Sequence, residues 1–444
     1  MRDIHLSCEL LRAVARGEVP PRTLIEIGLE HLRSLCPTCA EEWRAWERQR
    51  SNELAERPLP RSPETFGTVI AGLLPRLRKE EAAAARDFQD VLGCPPESRL
   101  ALIEKARSRF RGSALARLLL AEARRLARLD AQASGHWAEV ACKVASRVPH
   151  TEASAELVAL ALAELGNAQR LQDDTKTAAL SLSGSRNIAR LGGVTDPLAI
   201  ARIDHLEASL CLDQRRFQEA EALLTRARLL YGLVAGAEIE VVRVEMTMVL
   251  LFLEWGRPQR AQRTARAALA RPEAQGEAEV FLSLRINLAR ALVEDGETSE
   301  ALAILDEDEP HSELLGAPLW QLRYPWIRGR IAAARREYPE AEALFLRVRD
   351  GFVEAGMGFD AALVSLDLAE VYLRAGRNRE TKRLAEEMVP IFAAQDIHPE
   401  ALAALRIFTE AARREALSFA LVRDLRGYLA EARHDREVSF TPGK

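Results

Sequence analysis

Residues 217–227 read FQEAEALLTRA, and within them Ala220, Leu223, Leu224 and Ala227 fall at i, i+3, i+4 and i+7. That spacing lines up one face of an α-helix. The same stripe recurs as Ala341, Leu344, Phe345 and Val348. Working outward, Ala138, Ala178, Ala220, Ala261, Ala301, Ala341 and Thr381 lie 40 to 42 residues apart, each opening a similar pattern of small and apolar residues. A second helix precedes each one. Before Ala301 it carries Leu284, Leu288, Ala291 and Leu292 on one face, then Glu294-Asp295-Gly296 as a helix stop. Gly256 and Gly376 occupy the same offset, five residues before Ala261 and Thr381. The repeating element is therefore helix, short Gly turn, helix, and the small residue at the start of the second helix lets two backbones approach closely.

A lone helix pair cannot bury its apolar face, so such repeats gain stability by stacking on neighbours. The expected fold is all-α, a right-handed superhelical α-solenoid of about seven helix pairs of about 40 residues. Composition agrees. The chain has 444 residues, 48% hydrophobic but only 5% aromatic, which suits many thin helical interfaces better than a sheet core rich in Val, Ile and Tyr. The net charge of −4 is small for this length, and nearly all of the 62 Lys+Arg residues are Arg. Arg enrichment alone is no nucleic-acid signal, and none is expected to bind directly. No apolar run approaches the ~20 residues that span a bilayer, and charges stand where a signal peptide places its apolar region. A cytoplasmic protein is expected. Cys94, Cys142 and Cys211 are scattered singly and read as small packing residues.

The first fifty residues differ. His31-Leu-Arg-Ser-Leu-Cys36-Pro-Thr-Cys39 follows a predicted helix, Arg22 to Leu35, and contains a C-x2-C knuckle with Pro in its turn. Two thiolates at that spacing and a His one turn upstream can share a tetrahedral Zn2+. The fourth ligand is Cys8, with His5 as its competitor. Two short helices joined by Gly17-Glu18-Val19-Pro20-Pro21 bury too little to fold alone, and structural zinc can supply on the order of 10 kcal/mol. Residues 1–50 thus read as a small zinc-knuckle helical domain with a structural site. Residues 51–67, with Pro58, Pro60 and Pro63, read as a linker, and 68–112 as connecting helices. The array spans 113–434 with C-terminal capping helices, and 435–444 is a flexible tail.

The stretch from Cys8 through Gly17-Glu18-Val19-Pro20 to His31, Cys36 and Cys39 resembles the zinc-binding anti-sigma factor domain, whose pattern is an upstream Cys or His followed by H-x3-C-x2-C. Here four residues, not three, separate His31 from Cys36. The resemblance assigns the ligand roles to Cys8, His31, Cys36 and Cys39, and implies a domain that wraps a sigma factor and hides its polymerase-binding surface. The array resembles the tetratricopeptide family in its longer-repeat form. Phe217 and Tyr338, three places before Ala220 and Ala341, and the turns at Gly256, Gly296 and Gly376 carry that likeness.

In the tetratricopeptide family the first helix of each pair lines a concave groove. Aligning repeats by the small residue puts Asn167, Arg170, Arg202, His205, Arg243, Asn287, Arg290, Arg323, Trp326 and Arg330 on that face. A row of guanidinium forks suits carboxylates, so the expected ligand is an acidic protein segment. The competing expectation is that these arginines pair with Glu and Asp of adjacent helices.

Catalytic motifs are missing from the sequence: there is no phosphate loop, H-E-x-x-H or G-x-S-x-G, and His136, His150, His205, His311, His398 and His434 have no metal-like spacing among themselves. Asp306 to Pro318 is expected to form an exposed acidic loop. The expected function is a non-enzymatic protein-binding regulator controlling a transcription factor such as a sigma factor. The alternative is a general tetratricopeptide adaptor in a signalling or defence complex. Zinc content of the purified chain should fall from one equivalent to none in a Cys36→Ser, Cys39→Ser variant, and equal content in the two would refute the metal site.

Overall fold

A computed structural model describes residues 63–444 apart from 107, 128, 149–151, 313–317, 394–398, 414–417, 433–439 and 441–444. Cys8, His31, Cys36 and Cys39, with the whole proposed zinc domain, lie outside the described residues. Every regular element among the described residues is a helix. In chain order these are α1 (Pro63–Leu92), α2 (Pro96–Lys105), α3 (Ser113–Leu126), α4 (Ala131–Ala145), α5 (Glu152–Leu171), α6 (Thr175–Leu191), α7 (Pro197–Asp213), α8 (Phe217–Gly232), α9 (Glu238–Glu254) and α10 (Pro258–Leu269). They continue with α11 (Pro272–Gly276), α12 (Ala278–Glu294), α13 (Thr298–Ser312), α14 (Pro318–Ala334), α15 (Tyr338–Glu354), α16 (Gly358–Arg374), α17 (Asn378–Ala393), α18 (Pro399–Arg413) and α19 (Phe419–Ala432). The fold is a helical-repeat α-solenoid. None of the described helices is long and apolar enough to cross a membrane.

The described chain divides into two compact units. One holds the residues up to Leu165 together with Gly184–Ile200; the other holds Gly166–Ser183 and Ala201–Lys444. In the first, α4 packs on α3, and the buried Ser134 hydroxyl donates to the Ala123 carbonyl across their contact at 2.8 Å. Trp137 of α4 sits between Phe88 of α1, 5.8 Å between ring centroids, and the Arg99 guanidinium, 4.1 Å above its ring. Residues 63–67, read from sequence as linker, belong to α1. Proline has no N–H to lose and a helix-compatible φ, so Pro63 begins a helix as well as it could have continued an extended segment.

The larger unit shows the repeat at atomic detail. Ala178, Ala220, Ala261, Ala301 and Ala341 have no exposed surface and Thr381 has 1%. Each N–H closes the first helical turn, on the carbonyls of Asp174, Arg216, Arg257, Glu297, Glu337 and Arg377. Just before it the chain makes a Schellman turn, in which the N–H of Asp174, Arg216, Arg257, Glu297, Glu337 and Arg377 reaches back to Gln169, Cys211, Phe252, Leu292, Ala332 and Tyr372 at 2.7–3.0 Å. One residue in each such turn is left-handed. Glycine serves at Gly256, Gly296 and Gly376, but Asp173, Arg215 and Arg336 hold φ of 60°, 56° and 64° at the equivalent places. Looking for glycine alone finds half of these turns. Close helix approach also appears at Gly329, where a Cβ would fall 2.6 Å from the Phe345 ring.

Further along, the acidic segment after Ile304 is not a loop. It continues α13 to Ser312, and Arg285 of α12 holds Glu307 at 2.5 Å and Asp308 at 2.7 Å, while Arg328 holds Asp306 at 2.7 Å. Paired carboxylates lose the repulsion that would have favoured an extended, solvated run. After α17 the array ends on α18 and α19, whose Leu405, Phe408, Leu425 and Leu429 are fully buried. Phe440, expected in a flexible tail, packs on Tyr428 with ring centroids 5.2 Å apart.

Buried ion pairs interrupt this apolar core at a regular place. Asp204, Glu245 and Arg285 each stand sixteen residues before Ala220, Ala261 and Ala301. Asp204, 1% exposed, accepts both forks of Arg226 from α8. Glu245, 3% exposed, accepts Arg271 at 2.9 and 3.0 Å. Arg285 reverses the polarity and donates to Asp308. A buried charge without its partner is far costlier than either the pair or an apolar substitute. Asp204→Asn should therefore lower stability by about 2–3 kcal/mol in urea unfolding. Because Arg285 and Asp308 already realise the inverted pair, Asp204→Arg with Arg226→Asp should recover more than half of that loss.

Candidate partner-binding face

The first helices of the repeats in the larger unit carry the residues expected to meet a partner. On α5, the Asn167 side-chain oxygen accepts from Arg170 at 3.1 and 3.2 Å, and Arg170 reaches Asp213 at the end of α7 at 2.8 Å. His205 of α7 meets the Thr247 hydroxyl of α9 at 2.8 Å, and that hydroxyl donates to the Arg243 carbonyl at 3.1 Å. The oxygen is then left to accept, which places the His205 proton on Nε2. Arg202 is half-buried on the same helix as His205, and Arg323 is exposed on α14.

Arg243 of α9 bonds Glu240 at 2.5 Å and holds both oxygens of Glu277, the residue capping α12, at 2.9 and 2.7 Å. Burial works against its charge, and the two carboxylates more than offset that, raising its pKa. Asn287 turns back on its own helix and donates to the Ser283 carbonyl at 2.8 Å. Arg290 bonds Glu254 at 2.8 Å and Glu294 at 3.3 Å, and Arg330 reaches Glu294 at 3.6 Å. Glu254, Arg290, Glu294 and Arg330 thus alternate in sign across α9, α12 and α14. Burial opposes the charge of Arg290 as well, yet Glu254 and Glu294 lift its pKa above the ordinary arginine range. Trp326 donates its indole N–H to Asp367 of α16 at 2.7 Å and meets Phe352 edge-on at 5.5 Å.

The structure brings the predicted residues together as a ladder in which each arginine with a described pair already holds an acid of the same chain. Asp213, Glu277, Glu254, Glu294 and Asp367 were not singled out from sequence. The signal of Asp213, Glu277, Glu254 and Asp367 was present as acids 34 to 43 residues from Arg170, Arg243, Arg290 and Trp326, one repeat away, and that of Glu294 as an acid one helical turn after Arg290. An acidic segment laid on this face must displace those carboxylates or lie against them. A segment of mixed charge can instead exchange with both members of a pair.

Among the described residues no three His, Cys, Asp or Glu side chains are arranged to hold a metal ion. The Cys142 thiol of α4 is pushed up to about 12, by burial first and by the nearby Glu139 second, so it stays protonated at neutral pH and serves as packing.

No protein-family model matches the chain, and no curated protein matches it. Solved structures do. A Rap protein crystallised in complex with competence and sporulation factor superimposes with a TM-score of 0.58 over 72% of this chain and 87% of its own, at 14% identity. The apo form of RapI superimposes with a TM-score of 0.50 over 71% and 86%, at 13% identity. At such identities the likeness is one of fold, and it covers most of both neighbours.

If the ladder is energetically real, Arg290 and Glu254 should couple. A double-mutant cycle with Arg290→Gln and Glu254→Gln should give a coupling of about 1 kcal/mol in unfolding. The same cycle between Arg290 and Glu277, which share no contact, should give a value indistinguishable from zero.

Proposed function

We propose that this chain is a non-enzymatic regulatory scaffold whose first-helix face, from α5 to α16, receives a segment of a protein partner. The observation that carries the reading is the ladder itself. Polar and charged side chains run from Asn167 to Asp367 along one set of helices, and their ion pairs are half-buried and replaceable, as an extended recognition surface requires. The fold neighbours support a helical-repeat protein that binds other proteins. The partner segment carries both signs of charge, because Asp213, Glu277, Glu254 and Glu294 stand beside Arg170, Arg243, Arg290 and Arg330 on that face.

Residues 1–50 form, on this reading, the zinc-stabilised module that contacts a transcription factor, a sigma factor being the best fit to the Cys8, His31, Cys36, Cys39 pattern. The array then receives the signal and the small domain selects what is regulated.

Tagged full-length chain, a Cys36→Ser, Cys39→Ser variant and an Arg243→Ala, Glu277→Ala variant should be compared for the partners they retain. Removing Arg243 together with Glu277 leaves only the partly exposed Glu240 without its cation, a charge water can still solvate, so the fold should survive while array partners weaken by tenfold or more. A sigma factor should be held by the wild type and lost with the cysteines. Identical partner sets for the wild type and the cysteine variant would discard sigma control in favour of a general adaptor, and identical sets for all three would discard the face as well.

A further inference from the structure

At the C-terminal end of the larger unit, α16 and α19 border an open cavity of about 320 Å3 lined by Glu370, Arg374, Phe419, Ala420, Arg423 and Arg426. Phe419, Arg423 and Arg426 follow one another at i, i+4 and i+7 on α19, and Glu370 and Arg374 at i and i+4 on α16, so each helix turns a single face to the space. The lining carries three guanidiniums and one carboxylate. Arg374 is bound to Glu370 at 2.6 Å. Arg426 is bound to Asp367 and reaches Glu370 at 3.3 Å, yet its Nε, buried in the wall, has no hydrogen-bond acceptor. Arg423 is the least engaged. Its side chain is 81% exposed, and its ion contact is with the adjacent residue Asp424 at 3.9 Å. Beside these charges the Phe419 ring is 52% exposed, with the Arg374 guanidinium 5.8 Å from its centroid.

Arg423 offers an exposed guanidinium whose ion contact is 3.9 Å away, and an exposed aromatic ring is area waiting to be covered. Both lie in one cavity. We propose that this cavity binds a carboxylate standing next to an apolar, preferably aromatic, group: the carboxylate bridges Arg423 and Arg426, and the apolar group covers Phe419 and Ala420. A singly charged, planar anion matches a guanidinium fork. A phosphate dianion does not suit the wall, because Glu370 lines it and Asp367 stands behind Arg426. Such a ligand comes either as a free aromatic acid or as the C-terminus of a polypeptide ending in an apolar residue. Binding here does not require a partner on the α5 to α16 face, although Asp367 of that face holds Arg426.

Calorimetric titration of the full chain with N-acetyl-L-phenylalanine should give a dissociation constant on the order of 1 mM, as expected for so small a ligand. N-acetyl-L-phenylalanine amide should bind at least tenfold more weakly, and inorganic phosphate should not compete. Arg423→Gln, at an exposed position, should weaken the acid at least tenfold with an unchanged thermal midpoint; Phe419→Ala should weaken it as well. Equal binding of the amide, competition by phosphate, or an Arg423→Gln variant that binds as well as the wild type would each overturn the proposal. A short peptide ending in free Phe that binds tenfold tighter than the acetylated amino acid assigns the site to a polypeptide terminus, and equal affinity assigns it to a small acid.

Discussion

The contact on which the rest of this protein depends is the meeting of two helix backbones at a residue too small to keep them apart. At Ala220, Ala261, Ala301 and Ala341 no side-chain surface remains exposed, and the same residue closes the first hydrogen-bonded turn of its helix. A larger side chain there would force the pair open, at a cost of about 1–3 kcal/mol per site in a packed interior. Because the turn before it is a left-handed Schellman turn, the angle of each pair is set within a few residues. Stacking then needs only that successive pairs present similar faces. That is how a chain with 5% aromatic residues builds an extended core from Ala and Leu.

Alanine and leucine are poor at specifying which layer meets which, since one apolar stripe packs on another nearly as well one turn out of register. Charge supplies the discrimination. Asp204 with Arg226, Glu245 with Arg271 and Arg285 with Asp308 bury acids and bases that tolerate no slip, for a displaced carboxylate would be left without a donor in a low-dielectric setting. The reversal of sign between the first and third of these pairs means that the two repeats cannot exchange places. The half-buried ladder of Arg243, Arg290 and Arg330 repeats the logic nearer to solvent, where pairs are weaker and can open for a partner. The surface that holds the repeats in register is thus the same one proposed for recognition.

Much of this was legible in the letters. The small residues at a beat of about forty, the apolar stripes and the Gly stops are local consequences of helix geometry, and local geometry leaves a periodic trace. The turns at Asp173, Arg215 and Arg336 escaped because a left-handed backbone there is imposed by the flanking helices, against the preference of the two arginines and with only the modest tolerance of an aspartate. The acidic run in α13 was misread for a related reason: Asp306, Glu307 and Asp308 look solvated until Arg285 and Arg328 are seen against them. The arginines of the first helices lie on α5, α7, α9, α12 and α14, but their pairing was hard to see, because Asp213, Glu277 and Glu254 lie about a repeat away from Arg170, Arg243 and Arg290.

The sequence by itself determined the fold class, the length of the repeat and the helices that carry the polar face, since all three follow from spacing along one chain. It also carries the pattern of Cys8, His31, Cys36 and Cys39, which the described residues do not include. Only the tertiary structure decided which charges remain available. Arg243 and Arg290 are bound to Glu277 and Glu254, while Arg423 beside Phe419 is left open, because ion pairing depends on distances of a few ångströms between helices and no linear spacing encodes them.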